Sequence, residues 1–302
     1  MARHSAEACH AEVHSAEAYH AEARRGEAQS GEAPRALVLT GYGINCDYET
    51  THACELAGFR TAREHLNELI ERRLNLFDFK LLVFPGGFSY GDDLGSGVAF
   101  SSKIRLSNGG RLFDTLMEYV ERGGLVLGIC NGFQILVRLG LIPALDNRYG
   151  EQQVTLAPNR EGYFIDRWVD LTVESGSPSV FTRGLGRLML PVRHGEGRLL
   201  CPDDVLGRLE ENRRVALRYC DEDGRPTQEF PRNPNGSLNA VAGICDSTGR
   251  IFGLMPHPEA ALSLYRYPDW TRRRERARRT GQALSERGDG LAIFENAFSS
   301  VS

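Results

Sequence analysis

The sequence lacks a long hydrophobic run, and this absence argues against a membrane-spanning protein. Its apolar stretches, such as Leu81 to Phe84, are far shorter than the roughly 20 residues that cross a bilayer. No charged start followed by an apolar stretch appears, so we expect no secretory signal. An excess of one charge sign is also absent, because 36 basic residues face 40 acidic ones and leave a net charge of −4. The total charge therefore gives no reason to expect nucleic acid or an acidic membrane surface as a partner.

The cysteines lack the spacing of a disulfide framework or a structural zinc site. There are seven of them, an odd number, and none forms a C-x-x-C pair. Scattered free thiols fit a reducing compartment, so we expect a cytoplasmic protein. We place no metal among its functional residues.

The first 33 residues are a low-complexity repeat in units of five. A glutamate recurs at positions 7, 12, 17, 22, 27 and 32. A period of five matches neither the 3.6 of a helix nor the 2 of a strand, so no continuous apolar face forms. We predict a disordered tail over residues 1–34 and one domain over residues 35–302. The alternative is that the tail binds metal through its four histidines, His4, His10, His14 and His20.

After Pro34, short apolar runs alternate with helical patterns. The predicted strands are Ala36 to Thr40, Leu81 to Phe84, Gly124 to Leu127 and Ile251 to Met255, and helices are predicted over residues 49–58 and 111–122. Such alternation is typical of an α/β fold with a parallel sheet covered on both faces. Residues 154–192 show shorter alternating segments, which predict a small antiparallel excursion.

The segment Gly128-Ile-Cys-Asn-Gly-Phe-Gln-Ile135 carries most of the chemical information. It follows a predicted buried strand and opens a helix, so Cys130 falls on a strand-to-helix turn. A nucleophile on such an elbow projects above the sheet edge, and the first helical N–H groups point at the atom it attacks. A helix N-terminus also activates thiols in general. We therefore predict that Cys130 is a nucleophile.

A candidate base follows another predicted strand. Ile251 to Met255 runs directly into Pro256-His-Pro-Glu259. His257 can act as the base and Glu259 can orient its imidazole, although a first-turn acid near a helix dipole is the alternative interpretation of Glu259. His194 is the rival base. We prefer His257 because it directly follows a strand and has a carboxylate two residues away.

The other cysteines are better interpreted as small core side chains. Cys46 is considered separately because it also follows a predicted strand. Neither a histidine nor a helix start is as well placed for it in the sequence as for Cys130. We therefore assign Cys46 no catalytic role.

The glycine-rich segment Pro85-Gly-Gly-Phe-Ser-Tyr-Gly-Asp-Asp93 follows the strand that ends at Phe84. Glycines at a strand end can present a backbone N–H to a ligand. We predict an oxyanion hole formed by the N–H groups of Gly87 and Asn131. The alternative is a tight turn without function. The segment lacks the spacing of a phosphate-binding loop, so nucleotide binding is not expected.

These motifs resemble those of a known family. The Cys130 and His257 segments resemble the nucleophile and base motifs of class I (triad-type) glutamine amidotransferases. Further motifs resemble the glutaminase subunits of phosphoribosylformylglycinamidine synthases: residues 85–93, Asn45-Cys-Asp47, His194-Gly-Glu-Gly197 and Asn233-Pro-Asn-Gly-Ser237. The resemblance runs from about residue 36 to the C-terminus. It implies a flavodoxin-like fold, with a mostly parallel central sheet flanked by helices.

The resemblance also implies residue roles. Cys130 would attack the side-chain amide of glutamine, His257 would serve as base and later as acid, and Glu259 would orient His257. The remaining implied residues are the oxyanion-hole pair Gly87 and Asn131 and the substrate-binding residues Phe88, Gln134, His194 and Gly195.

A partner is implied as well. The ammonia would pass to a separate synthetase subunit that converts formylglycinamide ribonucleotide to its amidine, in a complex of two or three subunits. No ATP-binding segment is recognisable, so we expect no cofactor on this chain and expect ATP and magnesium on the synthetase. Extra length near residues 221–235 and 269–290, compared with compact family members, leaves the details of docking open.

Two alternatives remain open at this point. One is a triad amidotransferase that serves another acceptor, for example in a nucleotide or pyridoxal pathway. The other is a non-catalytic binding module on the same fold. The presence of all three triad residues favours an enzyme.

Overall fold

The computed structural model describes residues 32–302. Nearly all of the predicted tail lies outside the described residues, so that expectation stays a prediction. Within residues 32–302 the strands are β1 (Arg35–Thr40), β2 (Arg60–His65), β3 (Leu81–Phe84), β4 (Leu125–Ile129), β5 (Thr155–Pro158), β6 (Ile165–Val173), β7 (Arg187–His194), β8 (Glu196–Leu200), β9 (Val215–Tyr219), β10 (Val241–Cys245) and β11 (Ile251–Leu254). The α-helices are α1 (Asp47–Ala57), α2 (Leu66–Ile70), α3 (Val98–Leu106), α4 (Arg111–Glu121), α5 (Asn131–Arg138), α6 (Asp203–Glu211), α7 (Trp270–Thr280) and α8 (Leu291–Ser299).

One mixed sheet organises the described residues. Its strand order is β2-β1-β3-β4-β11-β10-β9-β6-β7, and β5 and β8 form a separate two-stranded sheet. The half from β2 to β11 is parallel. Strands β3, β4 and β11 are buried and apolar along their whole length, as expected where helices cover both faces of a sheet. The prediction of an α/β fold with a central sheet flanked by helices is confirmed.

The antiparallel part is longer than the sequence indicated. Strands β6, β7, β9 and β10 all pair antiparallel in the main sheet. The sequence predicted such an excursion only for residues 154–192, whereas the structure extends it to Cys245. The reason is that β9 and β10 are buried at every position. A strand buried on both faces shows no polar alternation, so its direction cannot be read from the pattern.

Two groups of helices flank the sheet. Helix α1 packs against α8, and helix α3 packs against α4 and α5. Helix α1 ends as the sequence predicted, on a glycine: Gly58 has a φ of 110° and its N–H caps the last turn. No helix within residues 32–302 has both the length and the apolar character needed to cross a membrane.

Glycine allows α5 to lie directly against the sheet beside β4. An ideal Cβ at Gly132 would be 1.9 Å from the carbonyl oxygen of Phe84, and one at Gly128 would be 2.7 Å from the carbonyl oxygen of Gly132. Both contacts involve backbone atoms, which cannot rotate away. The position of the first turn of α5 therefore depends on the absence of side chains at these two residues.

We expect Gly132→Ala to destabilise the protein by about 3 kcal/mol or more, because the methyl group would force α5 away from β3. Denaturant unfolding followed by circular dichroism measures this. The control is Gly207→Ala in α6, where a Cβ would meet no atom within 4 Å. That change should stabilise the helix by about 0.5–1 kcal/mol. Equal stability of the Gly132→Ala variant and the wild type would contradict the close-packing argument.

Candidate active site

Cys130 lies on a strained turn between β4 and α5. Its φ of 51° and ψ of −104° are outside the regions that side-chain-bearing residues prefer, which costs roughly 1–3 kcal/mol. Its N–H donates to the carbonyl of Leu254 at 2.8 Å, which ties the end of β4 to the end of β11. Its Sγ lies 3.6 Å from the carbonyl oxygen of Arg193. The turn thus presents the sulfur at the carboxyl edge of the sheet, against the end of β7.

His257 and Glu259 form a buried pair just beyond β11. The Nδ1–H of His257 donates to Oε1 of Glu259 at 2.6 Å, and the two side chains are 3% and 2% exposed. The backbone N–H of His257 donates to the carbonyl of Pro191 at 2.8 Å. Burial alone would lower the pKa of His257. The charge of Glu259 and the neighbouring Cys130 outweigh burial and hold that pKa well above its ordinary value.

The other polar atom of each of these side chains has no partner among the described residues. These atoms are Nε2 of His257 and Oε2 of Glu259, and both are buried. Because Nδ1 is occupied by Glu259, Nε2 is the atom left to exchange a proton with Cys130 or with a bound molecule. Buried atoms without partners are uncommon in proteins and need an explanation such as a ligand or a catalytic role.

The Gly86–Gly87 peptide is oriented by the two residues that directly precede α1. The carbonyl of Gly86 accepts from the N–H groups of Asn45 and Cys46, at 3.4 and 3.2 Å. In a trans peptide the C=O and N–H point in opposite directions, so the N–H of Gly87 points away from α1. It has no backbone acceptor within the described residues. Asn131 is the first residue of α5, and its N–H has no intrahelical partner. Two free donors are thus present where the sequence predicted an oxyanion hole.

The side chain of Asn131 connects this loop to the helix. It accepts from the N–H of Ser89 at 3.3 Å and donates to Asp92 at 3.3 Å and to Oε1 of Gln134 at 2.9 Å. Gln134 in turn donates to the carbonyl of Glu196. Both polar ends of Gln134 therefore already have protein partners. In this structure Gln134 acts as a brace between α5 and β8, and its predicted contact with substrate stays a prediction.

His194 is held as a neutral ring. The two N–H groups of the Asn159 amide donate to the carbonyls of Tyr163 and His194, so its Oδ1 faces Nδ1 of His194 at 3.0 Å and must accept. Nδ1 therefore carries the proton, and Nε2, which is buried without a partner, keeps a lone pair. Burial, reinforced by His257, lowers the pKa of His194 to about 3. Such a weakly basic ring is a poor general base and a good hydrogen-bond acceptor.

The remaining predicted substrate residues lie around the same edge. The N–H of Phe88 donates to the carbonyl of Gly43 at 2.8 Å, and its ring is 41% exposed and packs near Phe164. The carbonyl of Gly195 accepts from the N–H of Asn159 at 2.8 Å, and a Cβ at Gly195 would meet open space. Neither residue has a contact that defines a role in binding.

The structure places Cys46 closer to the site than the sequence indicated. Cys46 is the N-cap residue of α1, and its Sγ lies 4.0 Å from Nδ1 of His257. From the sequence we expected neither a histidine nor a helix start to be as well placed for Cys46 as for Cys130, whereas in the structure Cys46 precedes α1 directly and approaches His257. The contact joins residues 211 positions apart, so no local pattern reports it. One feature of the sequence pointed to a place near the site: Cys46 follows β1 and lies within the Asn45-Cys-Asp47 motif.

The fold and the arrangement of the site define a class I (triad-type) glutamine amidotransferase domain. A model of the family described as "CobB/CobQ-like glutamine amidotransferase domain" matches residues 33–300, and the chain belongs to this family.

Relatives of named function are similar to this chain over most of its length. A phosphoribosylformylglycinamidine synthase subunit PurQ from Methanococcus maripaludis is 45% identical over 266 residues, 87% of this chain and 96% of the relative. A protein of the same name from Dehalococcoides mccartyi is 43% identical over 263 residues, with the same coverage of 87% and 96%. A chain in the structure of PurLQS from Thermotoga maritima is 31% identical, with a TM-score of 0.64, over 90% of this chain and 100% of that chain.

Removing the charge of Glu259 should lower the pKa of His257, because burial then acts without the opposing carboxylate. In the wild type the ring should stay protonated as the pH rises through about 6.5, and in Glu259→Gln it should lose its proton at a lower pH. NMR titration of the His257 ring measures this, with Glu49→Gln on the exposed face of α1 as the control. An unchanged titration would show that Glu259 does not set the charge of His257.

A side chain at position 86 should displace His257. An ideal Cβ at Gly86 lies 2.7 Å from Cε1 of His257 and 3.2 Å from Sγ of Cys46. We expect Gly86→Ala to fold and to lose about 100-fold in kcat for glutamine hydrolysis, since shifts of about 1 Å in a catalytic group have effects of this size. Gly186→Ala, where a Cβ meets no atom within 4 Å, is the matched control. Full activity of Gly86→Ala would argue against this position for the imidazole.

Proposed function

We propose that this chain hydrolyses glutamine to glutamate and ammonia through a triad of Cys130, His257 and Glu259. The observation that carries the proposal is the convergence of a strained cysteine elbow, a buried His–Glu pair and two free backbone donors at one sheet edge. The PurQ relatives support the same activity.

The chemistry follows from the positions of these groups. His257 holds at Nε2 the proton that the thiol of Cys130 has given up, and the Sγ thiolate attacks the side-chain carbonyl carbon of glutamine. The oxygen that becomes negative is stabilised by the N–H groups of Gly87 and Asn131, each donor contributing about 3 kcal/mol. His257 then gives its proton to the departing nitrogen. The C–N bond breaks, ammonia leaves and a thioester remains on Cys130.

A water molecule completes the cycle. His257 accepts a proton from the water, whose oxygen attacks the thioester carbonyl carbon. The C–S bond then breaks and releases glutamate and the Cys130 thiolate, with the proton from water kept on His257. Glu259 keeps the imidazole oriented and stabilises its charged form in both halves of the reaction. His194, with its unpaired Nε2, offers an acceptor at the wall of the same pocket.

We further propose that the ammonia passes to the synthetase subunit of phosphoribosylformylglycinamidine synthase, which makes formylglycinamidine ribonucleotide in purine biosynthesis. The relatives named PurQ and the PurLQS complex support this partner, and a small third subunit is part of the proposal.

In this scheme the chain binds no cofactor, and ATP and magnesium act on the synthetase. We place the reaction in the cytoplasm. A different acceptor has no support among the relatives reported above.

The test is labelling with a diazo-ketone analogue of glutamine followed by mass-spectrometric mapping, with and without excess glutamine. We expect one adduct, on Cys130, that glutamine prevents and that Cys130→Ser abolishes. If the isolated chain is unlabelled, the experiment is repeated with the synthetase bound, since partner docking completes the site in some enzymes. An adduct on Cys46, or none under either condition, would overturn the assignment of Cys130.

A further inference from the structure

Cys46, which the proposed reaction does not use, lies in a cluster of side chains that can bind a metal ion. Ligand atoms of Cys46, His257 and Glu259 all lie within 4.8 Å of one another. The three residues come from two parts of the chain, the start of α1 and the segment beyond β11. Cysteine, histidine and a carboxylate are the ligand types that zinc prefers.

The cluster also contains ligand atoms that are not fully engaged in hydrogen bonds. Oε2 of Glu259 is buried and has no hydrogen-bond partner among the described residues. Sγ of Cys46 makes no capping hydrogen bond to α1, and its contacts are Nδ1 of His257 and, at 3.4 Å, Oδ1 of Asn45. Cys46 is half-buried rather than enclosed, so an ion can reach the cluster from its side.

We propose that Cys46, His257 and Glu259 form an inhibitory site for a thiophilic divalent cation such as Zn²⁺. The ion would be held by Sγ of Cys46, Nδ1 of His257 and a carboxylate oxygen of Glu259, with water as the fourth ligand. The binding rests on the geometry of the cluster alone, and the inhibition rests on the proposed glutaminase function.

The distances suit a tetrahedral ion after small adjustments. With Zn–S near 2.3 Å and Zn–N near 2.05 Å, sulfur and nitrogen ligands are about 3.6 Å apart. The observed separation of Cys46 Sγ and His257 Nδ1 is 4.0 Å. The nitrogen and the carboxylate oxygen, now 2.6 Å apart, must separate to about 3.4 Å. The carboxylate must therefore rotate when the ion binds, and its Oε2 has no hydrogen bond that opposes this rotation.

Binding replaces two protons and thereby disables the triad. The ion takes the positions of the Nδ1 proton of His257 and of the thiol proton of Cys46, and both protons leave to solvent. Glu259 then neutralises the metal instead of the imidazolium. A metal-bound imidazole is a weaker base at Nε2, so His257 no longer accepts the proton of Cys130.

The first test measures zinc binding without reference to activity. The full chain carrying Cys9→Ser, which removes the thiol of the repeat segment, is titrated with Zn²⁺ in competition with a chromophoric chelator. We expect Cys46→Ser to weaken binding by about tenfold or more, since changes even to indirect metal contacts cost 10- to 100-fold. Cys130→Ser and the half-buried control Cys201→Ser should bind as the parent does.

A second measurement identifies the ligand directly. Co²⁺ substituted for Zn²⁺ should give a thiolate-to-cobalt charge-transfer band in the parent and in Cys130→Ser, and no band in Cys46→Ser. A band that disappears in Cys130→Ser and persists in Cys46→Ser would place the metal on the proposed nucleophile and overturn the proposal. Binding unaffected by either change would place the metal elsewhere, including the tail histidines, and would also overturn it. Each of these results is independent of whether the chain hydrolyses glutamine.

Discussion

The site depends on the parallel alignment of three neighbouring strands, β3, β4 and β11. Their register places Phe84 beside Gly128, and Ile129 beside Leu254, so the three strands end at the same edge of the sheet. The residues that follow each end then meet without any long connection: the Gly86–Gly87 peptide, Cys130 and His257. Ligand sites in open α/β sheets lie at this carboxyl edge for the same reason. A slip of any one strand would separate the donor, the nucleophile and the base.

The antiparallel half of the sheet completes the site. In the strand order, β7 is separated from β11 by three strands, yet the carbonyl of Pro191 in β7 accepts from the N–H of His257 at 2.8 Å. The sheet must therefore twist and curl until its far edge returns to the centre. This return brings the carbonyl of Arg193 to Cys130 and places the ring of His194 where His257 acts on its pKa. The antiparallel half of the sheet therefore contributes residues to the site.

The features of the site that depend on local sequence patterns could be predicted from the sequence. The elbow at Cys130, the strand before His257 and the glycines after β3 each carry a signal within about ten residues. The contacts between distant segments carry no such signal. The approach of Cys46 to His257, the fixing of the His194 ring by Asn159 and the antiparallel direction of β9 and β10 all depend on how the sheet closes on itself. Gln134 is an intermediate case, because its position was predictable and its use as a brace was not.

The energetics of the site explain why it is built into so large a sheet. A strained Cys130 and unpaired buried atoms on His194, His257 and Glu259 lie within one small region. Each such feature typically costs about 1–3 kcal/mol, and together they would unfold a marginal domain. The fully buried strands around them supply the compensating apolar burial. A bound molecule with its own donors and acceptors would satisfy the unpaired atoms and recover part of this cost. The same unsatisfied atoms would then account for two properties at once: a pocket already arranged for its substrate, and a triad open to capture by a metal ion.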